Sequence, residues 1–362
     1  MNCIKSIKRN PVPNDVFLKT TKLYYQMGKN DYYQSLFSAS YQHISNSVAN
    51  QDGYSFFKIF FPGYKITESR LRTLLLESTV PKNTAETLYK NIIYIFRQIK
   101  EKNVEPFALN VTEVNDFVRL LFSQASKEKV QYRRYKTYTH SLLSKESGSM
   151  REKLEILIKE FKQVKKEDSF EPLILHMNLI VDFINMDIYT GDRNNLIGIL
   201  ILYILMIQEG FIVCNYVSFF AKLHLYKEDF DKAMAKCKFQ WTEGLSELMP
   251  LLRLFIKIYT ELYFDLSEKA RDFEYESKLE ISKSDYIENT IMKLDEVFAK
   301  DEIRKRHPLI SDSTINRTLK RLQEEDKIRP LGKGRSAKWI KLVKSTKKLN
   351  YHEQLNLDLG DK

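Results

Sequence analysis

The sequence predicts a mainly α-helical protein that closes in a winged helix-turn-helix. Three observations carry this reading. Glycine and proline are scarce, 11 and 9 of 362 residues, so few sharp turns interrupt the chain. Leu, Ile, Tyr and Phe recur at three- and four-residue spacings over most of the length, the period of a helix with one buried face. Residues 301–349 then gather 15 Lys and Arg against six Asp and Glu, a surplus of nine within a formal net charge of +11. Charge concentrated in this way suits a polyanionic partner.

Taken in order, residues 1–82 are rich in aromatics (Tyr24, Tyr25, Tyr32, Tyr33, Phe56, Phe57, Phe60, Phe61). They show no clear period and are expected to be irregular, serving as a packed layer or a dimer contact. Helical spacing then predicts helices over 84–103, 110–123, 150–164, 172–185, 194–209, 216–223, 228–239 and 241–271. The apolar run LIGILILYILMI at 196–207 is twelve residues long. That is too short to span a bilayer, so it reads as a core helix and no membrane partner is expected. Residues 268–284 are highly charged, a linker or a solvated end of the last long helix. The organisation expected is an N-terminal region at 1–82, a helical core at 83–273, a linker at 274–285, a winged helix at 286–349 and a tail at 350–362. The opening MNCIKSIKRNPVPND has no apolar stretch of the signal-peptide kind, and Cys3, Cys214 and Cys237 form no CxxC pair. A reducing cytoplasm, without disulfides or a thiolate metal site, is the expectation.

The basic segment is built from short signals. Residues 286–300 read as a first helix, with Ile287, Ile291, Leu294, Val297 and Phe298 on one face, and 302–310 as a short second one. Ser311, Asp312 and Ser313 offer capping oxygens for a third. In it Ile315, Leu319 and Leu322 form an apolar stripe, while Asn316, Arg317, Lys320 and Arg321 face elsewhere. Strand spacing follows at 328–331 and, after Gly332-Lys333-Gly334, at 338–343 around Trp339. In DNA binding the third helix would enter the major groove with Asn316, Arg317, Lys320 and Arg321 near bases and phosphates, and Lys333, Arg335 and Lys338 would grip the backbone. The same module also serves as a dock for protein.

The order of elements resembles the Fic/Doc (Fido) family in its long, winged-helix-bearing form. ALNVTEVNDFVRLLF and the following VQYRRYKTYTHSLLSKESGSMREKLEILIKEF look like a helix, an arginine segment and a flap; His140 falls in that flap. PLILHMNLIVDFINMDIYTGDRNNLIGILILYILMIQEGFI looks like the helix entering the motif, the motif loop and the buried helix leaving it. The resemblance implies a histidine base, an acidic residue for Mg²⁺ and a glycine and arginine cradle for nucleotide phosphates, on an HPFxxGNGRxxR loop. Here the loop is NMDIYTGDRNN: Asn185, Met186 and Asp187 stand where histidine, proline and phenylalanine would be. Gly191 is the only glycine left, no histidine occurs over 183–197, and the second arginine has no counterpart. Asp187 and Asp192 are hard oxygen donors suited to a cation, and Arg193 to one phosphate. Their plainer roles are turn and cap chemistry. Thr73 and Glu77 partly match the family's inhibitory Ser/Thr-x-x-x-Glu pattern.

Two functions follow. One is a degenerate, regulatory Fido protein whose winged helix binds DNA or docks a protein, with no metal and no cofactor, and as a homodimer where the DNA site is palindromic. The other is a divergent adenylyltransferase moving AMP from ATP, with Mg²⁺, to a hydroxyl of a target protein. The missing base and cradle favour the first.

Overall fold

The computed structural model of the chain describes residues 3–9, 11–76, 78–101, 105–125, 130–133, 149–191, 193–278, 283–307, 310–332 and 338–342. It is mainly α-helical, as the spacing predicts, and divides into two compact units, Met1–Ala270 and Arg271–Lys362. Among the described residues no helix is long and apolar enough to cross a membrane. All three cysteines are buried and free.

The first unit opens with α1 (Cys3–Ser6), α2 (Asn14–Met27), α3 (Asn30–Leu36), α4 (Tyr41–Phe60) and α5 (Glu68–Leu74). It continues with α6 (Thr84–Ile99), α7 (Val111–Leu121), α8 (Met150–Lys166), α9 (Pro172–Asn185), α10 (Asn194–Gln208), α11 (Phe219–Leu225) and α12 (Lys227–Lys238). α13 (Met249–Lys278) begins here and runs on into the second unit. Local chemistry sets several of the starts. The side chains of Asn83, Asn110, Ser149 and Ser218 each accept the amide hydrogen of the third residue of the helix that follows. Ser149 and Glu152 form a reciprocal capping box.

The expectation of an irregular region over 1–82 is corrected, because most of the described residues there fold into helices that are part of the first unit. Its periodicity is hidden by burial on more than one face. α4 packs against both α6 and α11 and buries Asp52, Gly53 and Ser55 along with Phe56 and Phe57, so polar and apolar positions no longer separate. Asp52 is satisfied inside. Asp52 and Lys100 are both buried and 3.0 Å apart. Asp52 also accepts from Tyr203 (2.8 Å), Ser218 (2.6 Å) and the amide of Phe220 (2.9 Å), while Lys100 donates to Tyr203 and to the carbonyl of Cys214. Burial pushes the Tyr203 hydroxyl well above its ordinary value, helped by Asp52, so it remains a donor.

α9 and α10 form the apolar centre, α10 being buried nearly all round. Gly198 allows their approach: a Cβ there would lie 2.8 Å from Cγ1 of Ile184 and 3.3 Å from Cδ1 of Phe183. Asp182 on α9, fully buried, accepts from the amides of Cys3 and Ile4 (2.9 and 3.0 Å) and from Nε1 of Trp241 (2.7 Å). That last bond explains a second correction. The single helix expected over 241–271 is instead a 3₁₀ turn at Trp241–Glu243, closed by Gly244 at φ 76°, with α13 starting only at Met249. Docking the indole on Asp182 requires the turn.

The second unit contains α14 (Lys283–Lys293), β1 (Val297–Ala299), α15 (Lys300–Arg306), α16 (Asp312–Glu324), β2 (Ile328–Pro330) and β3 (Lys338–Lys341). The strands form an antiparallel sheet in the order β1-β3-β2. Phe298 and Pro330 both pair with Trp339 of β3, from its two sides. Ile291, Phe298, Ile303, Ile315, Leu319 and Leu322 make the core beneath it. Residues 297–299 were expected to end the first helix. They are β1, because pairing with β3 satisfies their backbone and still buries Phe298. α15 starts earlier than expected and ends before His307, ahead of Pro308 in the sequence. The linker expected at 274–285 is helical at both ends, since α13 reaches Lys278 and α14 begins at Lys283; charged side chains solvate a helix as readily as a loop.

Candidate functional site

Two places collect the residues that the sequence singles out. The first is the loop between α9 and α10. Asn185 closes α9, its amide donating to the carbonyls of Val181 (2.8 Å) and Cys237 (3.2 Å), and Met186 caps the helix end. Asp187 then takes a left-handed conformation at φ 50°, which turns its carboxylate onto Arg133 (2.8 Å) and the Asn194 amide (2.7 Å). Asn194 in turn accepts from the amide of Tyr189 at 2.9 Å. The loop is pinned from outside by residues 131–133. Arg133 donates its amide to Ile188 (2.8 Å), Thr190 donates to Gln131 (3.0 Å), and the rings of Tyr132 and Tyr189 stack with centroids 5.4 Å apart. Burial and the adjacent Tyr132 push the Tyr189 hydroxyl up, and that hydroxyl is bonded to Asn115 at 2.7 Å.

Arg193 precedes α10, with its guanidinium 4.6 Å over the ring of Phe122. With Phe60, Phe61, Tyr64 and Gly191 it borders a cavity of about 520 Å³. Among the described residues no carboxylate or histidine, the usual acceptors of a hydroxyl proton, lines that cavity. Among the described residues the side chains also do not fit the magnesium nucleotide that the resemblance implies. Asp187 is engaged by a guanidinium and an amide, and among the described residues no group of three His, Cys, Asp or Glu is placed to hold a metal ion. Asp192 and His140 lie outside the described residues. His176 is buried on α9, its Nδ1 2.6 Å from the carbonyl of Pro172. Thr73 donates to the carbonyl of Arg70 (2.8 Å) near the end of α5, and Glu77 is outside the described residues.

The second place is the exposed side of α16. Ser311 caps the helix, accepting from the amide of Thr314. Ile315, Thr318, Leu319 and Leu322 are buried, and Ser313, Asn316, Arg317 and Lys320 form one exposed stripe at spacings of three, one and three. Lys338 is exposed on β3; Lys333 and Arg335 lie outside the described residues. Arg321 is separated from the rest. It is half-buried among Glu288 (2.6 Å), Glu325 (3.0 Å) and Asp285 (3.7 Å), joining α16 to α14. Arg304 plays the same part between α15 and α16. Its hydrogen bonds to Asp312 hold that carboxyl below its ordinary value. Arg133 belongs to the arginine segment noted in the sequence, but its pairing with Asp187, like that of Arg304 with Asp312, leaves no mark in spacing because the partner is on another element.

The sequence matches no protein-family model and no curated protein. Among solved structures the chain is similar to a Fic family protein from Desulfovibrio desulfuricans G20, with 9% identity and a TM-score of 0.48, over 92% of this chain and 98% of that one.

Proposed function

We propose that the chain is a regulatory DNA-binding protein, in which a Fido-like helical body without transferase chemistry accompanies a winged helix-turn-helix. The observation that carries the reading is the exposed stripe Asn316, Arg317 and Lys320 on α16, set directly opposite the buried Ile315, Leu319 and Leu322. Amide and guanidinium donors on the outer face of a helix suit base edges and phosphates. Three helices, with β1 between the first two and the β2-β3 hairpin after the third, supply the arrangement in which such a helix enters the major groove. Lys338, on the strand after the hairpin turn, would hold a phosphate. Arg321 is left out of this surface because its charge is matched by three carboxylates. Transfer of AMP is the weaker reading, since residues 183–197 contain no histidine and Asp187 is tied to Arg133.

Binding of the full-length protein to a pool of random duplexes, followed by enrichment, tests this. Arg317→Ala with Lys320→Ala is expected to weaken binding to the enriched duplex by about tenfold or more and to flatten its salt dependence. Unchanged affinity and salt slope would remove α16 from the DNA interface and leave protein docking as its role.

A further inference from the structure

A cationic groove lies on the first unit, lined by none of the residues that make up the two places described above. It runs between the start of α7 and the length of α8 and encloses about 730 Å³. Arg151, Lys159, Lys162 and Lys166 border it, against one carboxylate, Glu155. The spacing follows from the helix period. Steps of eight, three and four residues return to one face, so the four cations line up over roughly 22 Å of helix at 1.5 Å per residue. All four are exposed, and none is ion-paired to a described residue, whereas Lys165 beside them is matched by Glu209. Four cations with a single carboxylate among them, and no ion pair to a described residue, repel each other along this line, which costs the fold stability unless an anion is present.

The occupant is set by charge and by shape. The groove is long, its floor includes Ile158, and among the described residues no aromatic side chain lines it, so nothing there stacks on a base. Thr112 and Gln163 add hydrogen-bonding groups to the lining. We infer that this groove binds the phosphodiester backbone of nucleic acid, without reading sequence, through Arg151, Lys159, Lys162 and Lys166. A row of cations with a polar rim and no stacking platform matches successive phosphates. The inference rests on the first unit alone and needs nothing from α16.

The test uses the full chain and a fluorescein-labelled duplex of mixed sequence, titrated over a series of KCl concentrations. Lys159→Glu with Lys162→Glu is expected to weaken binding by about tenfold or more at 0.1 M salt and to lower the slope of log affinity against log salt by about two, since each phosphate contact contributes about 0.9. The neutral pair Lys159→Gln with Lys162→Gln should lose less affinity but a similar slope, and thermal melting by circular dichroism confirms that both variants fold. The Arg317→Ala, Lys320→Ala variant must keep the groove's share of the slope, which separates failure here from failure of the α16 reading. Unchanged slope in both groove variants, or a parent protein that does not bind duplex, overturns the inference. Polyglutamate competing as well as DNA at equal charge would assign the groove to acidic protein and overturn it too.

Discussion

Lys100 and Asp52 show how a single residue can reverse its expected place. Lysine and aspartate ordinarily stay in water, yet both are buried in the first unit, where they pair with each other and Asp52 also accepts from Tyr203, Ser218 and the Phe220 amide. Lys100→Met strands the carboxylate and is expected to cost about 3–5 kcal/mol in urea unfolding, whereas joint replacement with Asp52→Leu should recover most of that loss. No spacing in the sequence announces this pair, since Asp52 lies on α4 and Lys100 caps the end of α6. Arg317 and Arg321 teach the same lesson on the surface. They are one turn apart and chemically identical, and only the neighbouring α14, with Asp285 and Glu288, decides that Arg321 is a brace while Arg317 stays outward.

Among the elements, α10 was plain in the sequence and β1 was not. A helix apolar on every side has one consistent reading, a core element. Three residues such as Val297, Phe298 and Ala299 fit a helix end or a strand, and pairing with β3 chooses. The contact of α9 with α10 gives a quantitative check. Gly198→Val forces side-chain atoms into Ile184 and Phe183 and is expected to cost about 1–3 kcal/mol, read from the urea midpoint of the first unit. The loop between these helices was legible in composition, through its missing histidine, but not in geometry. Its pinning by residues 131–133 depends on a segment far away in the chain.

At the scale of the molecule, two units have separate cores. Truncating one core should therefore leave the other standing. Leu322→Ala is expected to cost the second unit about 2–5 kcal/mol, with hydrogen exchange accelerating in α14 and α16 while amides of α4 and α10 keep their protection. Retention of full protection in α16 would show that Leu322 does not support that core. The sequence by itself determined the helical class, the buried α10, the helix caps, the excess of charge near the C-terminus and the absence of a motif histidine, because each is written in neighbouring residues or in composition. Only the tertiary structure decided that the aromatic N-terminal stretch is largely helical and buries Tyr33, Phe56 and Phe57, that Arg321 and Asp187 are neutralised, and that four cations of α8 share one groove with α7. Those outcomes depend on which distant residues meet, and one-dimensional spacing does not carry that information.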